Sequence, residues 1–170
     1  MIIMKAPICN FCLTSTILCS SDQAKLDSGR ISQLEIDVSR ALFKLEKSHK
    51  AIASSRILGA RPVDGIIVIF IESQIPLSLG EVFSINKDVS SVISKDVRII
   101  EKNAQLNKII QELLLPAKVV GVSNVWLPDG STFIKVKLNG SPNKNDVKTY
   151  IHKLNGVVKE VLGLEIFLED

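Results

Sequence analysis

The sequence predicts an α+β protein: two small three-stranded sheets, each with helices on one face, preceded by a short cysteine-containing segment. Three observations carry that prediction. The order helix–strand–strand–helix–strand can be read twice along the 170 residues. Apolar runs of strand length, such as Ile66-Ile67-Val68-Ile69-Phe70-Ile71, alternate with stretches whose apolar residues recur at helical spacing. Pro116 lies at the seam between the two copies, where a helix must stop. The expected boundaries are 1–30 for the cysteine segment, 31–102 for the first unit and 103–170 for the second.

The first helix is announced by Ser32-Gln33-Leu34-Glu35, a capping box in which serine serves the amide of Glu35 and the glutamate reaches back. Ile31 and Ile36 stand at the positions of a hydrophobic staple, and Leu34, Val38, Ala41, Leu42 and Leu45 form one apolar stripe. A strand is expected over residues 51–58 and a turn over 59–64, leading into the apolar run at Ile66. Next come a short helix, a turn holding Gly80, and a helix with Ile85, Val89, Val92 and Ile93 on one face. Asp96-Val97-Arg98-Ile99-Ile100 closes the unit as its third strand.

In the second copy Leu106, Ile109, Ile110, Leu113 and Leu114 mark a helix. Residues 118–127 and 132–138 are strands joined by the hairpin signal Pro128-Asp129-Gly130-Ser131. Val147, Ile151, Leu154, Val158 and Val161 mark a long helix, Gly163 ends it, and residues 164–168 form the last strand. The short helix and its glycine turn are replaced here by Asn139-Gly140-Ser141-Pro142-Asn143. The two copies agree in element order, with no residue-level match between them.

All three cysteines lie near the N-terminus as Cys9-x-x-Cys12 and Cys19, with Asp22 three residues later. That spacing is knuckle-like, and Cys9, Cys12, Cys19 and Asp22 form a candidate metal set, zinc being the expected ion. Three free thiols are the alternative.

Composition narrows the function. Hydrophobic residues at 46% and charged residues at 23% are globular values. A net charge of +3 permits a nucleic-acid partner without demanding one. The run Ile66 to Ile71 is far short of the roughly 20 residues a helix needs to cross a bilayer. Pro7 and the cysteines break the early apolar stretch, so it does not read as a signal peptide, and a cytoplasmic protein with no membrane partner is expected. Paired carboxylates, a phosphate-cradling loop and a dinucleotide fingerprint are missing, and His49 and His152 stand on polar surfaces without a nucleophile. A non-enzyme without a small-molecule substrate is the expectation.

The stretch Ile75-Pro76 through Gly80, set between two strands and followed by a helix, resembles a KH module, whose G-x-x-G loop clamps an RNA backbone. The preceding helix and strand give the type II order. More widely, the chain resembles the archaeal NusA-like family of transcription elongation factors. The likeness rests on Ala6-Pro7-Ile8-Cys9-x-x-Cys12, Ile31-Ser32-x-Leu34-Glu35, Ile75-Pro76 through Gly80, Val97-Arg98-Ile99-Ile100-Glu101 and Val125-Trp126-Leu127-Pro128-Asp129-Gly130. It implies two tandem type II KH domains that bind single-stranded RNA during transcription elongation or termination, beside RNA polymerase.

Two departures stand out. The family's loop is Gly-Lys/Arg-Gly-Gly, whereas this chain has Gly80-Glu81-Val82-Phe83, and Asp22 takes the place of a fourth cysteine. The rival expectation is therefore a protein-interaction factor on the polymerase or ribosome surface, with KH folds kept for shape. Candidate RNA contacts are Ser78, Gly80, Ser84, Lys87 and Arg98 around the first unit's groove. Lys135 and Lys137 on a strand, with Lys144 and Lys148 on the last helix, are the candidates in the second.

Overall fold

The structure, a computed structural model, describes residues 3–115, 117–139 and 144–169; the side chains of residues 144–150 and 153 lie outside that description. It is an α+β protein of two compact units, Met1–Ala104 and Gln105–Asp170, each holding one three-stranded sheet.

The first unit starts with two short helices, α1 (Asn10–Thr14) and α2 (Ser20–Asp27), then α3 (Gln33–Leu45) and the brief α4 (Lys50–Ala53). Strands β1 (Ser55–Val63) and β2 (Ile66–Ser73) pair antiparallel across the tight turn Asp64-Gly65. Helix α5 (Leu79–Ile93) crosses back, so β3 (Asp96–Glu101) lies parallel to β2 in the order β1-β2-β3. The expected capping box forms at α3: the Ser32 hydroxyl accepts from the Glu35 amide, and Glu35 accepts from the Ser32 amide at 2.7 Å. Ile31 and Ile36 are buried together with Ile8, Cys12 and Leu13, so the staple also seats the cysteine segment on the unit.

Three local expectations need correction. Residues 50–53 are helical, and β1 starts at Ser55 and runs through the segment 59–63 that reads as a turn. Proline at 62 is tolerated because β1 is an edge strand. Secondly, no separate short helix and glycine loop precede α5. Gly80 lies in its first turn, Ser78 is its N-cap, and Glu81 completes a second capping box. Thirdly, the buried stripe of α5 is Val82, Ile85, Asn86 and Val89, while Val92 is exposed.

The second unit has helix α6 (Leu106–Leu114), strands β4 (Val119–Trp126) and β5 (Thr132–Leu138), helix α7 (Lys144–Leu162) and strand β6 (Ile166–Leu168). Again the first two strands pair antiparallel, the last pairs parallel, and the order is β4-β5-β6. Pro116 and residues 140–143 lie outside the described residues.

The units also share a detail that the sequence hides. In the first, the Asn86 carboxamide of α5 accepts from the Ile99 amide at 2.9 Å, and Ile99 pairs with Ile69. In the second, Asn155 of α7 accepts from the Ile166 amide at 2.8 Å, and Ile166 pairs with Ile134. Each last helix thus satisfies a backbone donor on the edge strand that follows it, which protects an otherwise open edge.

Candidate functional site

The cysteine segment is built to present sulfur. Cys9 is the N-cap of α1 and Cys19 the N-cap of α2, so each thiol stands at a chain reversal. Their turns bring Cys12 and Asp22 to the same point: one ligand atom from each of the four residues lies within 4.8 Å of every other. The Cys9 and Cys12 sulfurs are 3.5 Å apart, and those of Cys9 and Cys19 3.9 Å. Zinc–sulfur bonds of about 2.3 Å in a tetrahedron put sulfurs about 3.8 Å apart, so these separations suit such an ion. The donor set of three thiols and a carboxylate fits a closed structural site.

The surroundings fix these ligands. The Cys19 amide donates to the Cys12 sulfur at 3.1 Å, and the Asp22 amide to the Cys19 sulfur at 3.4 Å. The Asp22 carboxylate accepts from the Cys9 amide at 2.8 Å and from the Lys25 ammonium at 2.7 Å. Lys25 also donates to the Pro7 carbonyl, and Arg40 of α3 donates to the Cys12 carbonyl at 3.0 Å. Such outer partners orient metal ligands and tune their basicity.

Electrostatics follow from this geometry. Burial pushes the Cys12 thiol up to about 12, against the opposing Cys19 amide. The Asp22 amide, then Cys12, hold the Cys19 thiol below its ordinary value. Burial alone would raise the Asp22 carboxyl, but Lys25 and the Cys9 amide outweigh it and keep the group well below the usual carboxylate range. Lys25 is raised in turn by its bond to Asp22. The cluster can hold a metal ion.

The expected RNA contacts fare differently. The Ser78 hydroxyl is taken up by the Glu81 amide and carboxylate, and Gly80 lies in the first turn of α5, so neither belongs to a phosphate-clamping loop. Glu81 faces its own helix N-terminus, and Val82, expected in the loop, is fully buried. Ser84 and Lys87 are exposed on α5. Arg98 is not at an open groove: it is 7% exposed, donating to the Val97 carbonyl at 2.8 Å and to Asp96 at 3.3 Å. Burial makes it a structural cation. Lys135 and Lys137 lie on β5 as expected, with Lys135 3.4 Å from Glu169 and Lys137 exposed. Lys144 and Lys148 belong to α7 by backbone, with their side chains outside the described residues.

One further residue differs from its reading. His49, expected on a polar surface, is partly buried and bonds Asp88 at 2.6 Å, linking the N-cap of α4 to α5. Trp126, at the end of β4, is 76% exposed. Among the described residues no helix is long and apolar enough to cross a membrane.

No family model matches the chain, and no curated protein matches it. A solved structure described as "Crystal structure of APE1850" is similar to it, with a TM-score of 0.46 and 11% identity over 76% of this chain and 96% of that one.

Proposed function

We propose that the chain is an RNA-binding factor of the archaeal NusA-like kind, with two type II KH-like units and a zinc-held N-terminal segment, acting in transcription elongation or termination beside RNA polymerase. The observation that carries this reading is the duplicated topology. Each unit runs helix–strand–strand–helix–strand with an antiparallel and then a parallel pairing, and each repeats the asparagine-to-edge-strand bond. That order is the type II KH order without its short helix and glycine loop, so element order and strand pairing are what support the reading. Zinc in this reading is structural, held by Cys9, Cys12, Cys19 and Asp22, and no catalytic step is assigned.

The second reading, a scaffold factor on the polymerase or ribosome surface, is favoured by one feature. The helix-capping use of Ser78 and Glu81 replaces the loop with which a KH unit grips phosphates. Fluorescence polarisation of the zinc-loaded protein with a single-stranded RNA of about ten nucleotides, and with its duplex, separates the two; that length falls within common single-strand site sizes. RNA binding predicts saturable association with the single strand in preference to the duplex. Association with neither supports the scaffold.

A further inference from the structure

We propose that the open face of the second unit's sheet is a single-stranded RNA site that stacks bases on Phe167 and Phe133; this rests on the RNA-binding reading above and locates its contact away from the missing glycine loop. Strand alternation divides β5 into two sides. Ile134 and Val136 are fully buried with Ile166 of β6, whereas Phe133, Lys135 and Lys137 point to the other side. Phe167 pairs beside Lys135 and shares that open side. Its ring meets Phe133 edge-on, with centroids 4.9 Å apart, and remains 48% exposed.

Two of the chain's six phenylalanines thus stand together at one solvent-facing point. An exposed ring on a sheet, propped by a second ring and flanked by cations, is the arrangement with which sheet-based RNA modules stack unpaired bases. Beyond the two rings opens a cleft of about 530 Å³ bounded by Leu127, Thr132, Lys159, Gly163 and Glu165. It offers room beside the stacking ring for an adjacent nucleotide.

The charge on this face selects the occupant. Lys135 pairs with Glu169 at 3.4 Å and Lys159 with Glu165 at 3.8 Å. Lys137 has no acid partner among the described residues. Both existing pairs are solvent-exposed and therefore weak, so a phosphate can compete for either lysine. A polyanion carrying flat apolar bases matches both halves of the surface, rings and cations.

The test titrates oligouridylate of about ten nucleotides, within the usual single-strand site size, into the zinc-loaded full chain and three variants across a potassium chloride series. Phe167→Ala should weaken binding roughly tenfold at every salt concentration, because a stacked base is lost but no charge. Phe167→Trp should restore it. Lys137→Ala should lower the salt slope by about one phosphate contact. Binding by the wild type that Phe167→Ala and Lys137→Ala both leave unchanged would overturn this site while the RNA-binding reading stands. No binding by the wild type overturns both. Where Phe167→Ala melts early, Phe167→Trp and Lys137→Ala, which keep a ring in place, decide the matter.

Discussion

The Asp22 carboxylate lies 2.8 Å from the Cys9 amide and 2.7 Å from the Lys25 ammonium, so its charge is held in place before any metal adds a third partner. The buried Cys12 thiol is the costly ligand, because burial favours its protonated form. Zinc must displace that proton, so binding releases protons and affinity falls as pH falls. Calorimetry in buffers of different ionisation enthalpy should show proton release at neutral pH. Cys12→Ser should abolish zinc uptake and loosen residues 5–25, read by metal analysis and by hydrogen exchange. Asp22→Cys should retain zinc. Uptake by Cys12→Ser equal to wild type contradicts the site.

The same scale explains the glycine stretch. Ser78-Leu79-Gly80-Glu81 repeats the spacing of Ser32-Gln33-Leu34-Glu35, and both are capping boxes. The capping-box signal is legible at both helices, whereas the family resemblance places Gly80 and Glu81 in a loop. Glu81→Lys should remove half of the α5 box and lower stability by about 1 kcal/mol, seen as a lower urea midpoint, without strengthening RNA binding. A gain in RNA affinity in that variant would mean that the segment opens from the helix.

At the scale of elements, periodicity revealed order and type better than ends. The buried run at β2 and the stripes of α3, α6 and α7 followed directly from apolar spacing. The start of β1 did not, because Ala51, Ile52 and Ala53 fit either a helix or a strand, and only packing decides. The edge bonds of Asn86 and Asn155 were invisible, since a polar residue on a helical stripe reads as an interruption. Replacing either by leucine should strand the Ile99 or Ile166 amide and reduce stability by about 1–3 kcal/mol, measured by urea unfolding. Equal stability would show that the edge amides are served by something else. On the opposite edge of the first sheet, Lys5 pairs with β1: its amide donates to the Ser55 carbonyl at 3.0 Å, and it accepts from the Ile57 amide at 2.8 Å. The metal-ready segment and the sheet edge are thus consecutive parts of one strap.

Across the whole molecule the net charge is a modest +3. On the proposed reading RNA is held by a few phosphate contacts plus stacking, so affinity should be modest and should respond to salt with a shallow slope. The cysteine cluster, the duplicated sheet order and the cation-flanked rings of the second unit are separate features that the proposed RNA-binding role would bring together. The most direct measurement of that role is the affinity of zinc-loaded protein for single-stranded RNA over a range of potassium chloride concentrations. The account predicts a straight line of log affinity against log salt, its slope near −0.7 per contacted phosphate and indicating about two to four such contacts. Affinity that is absent at low salt, or that does not change with salt, would contradict it.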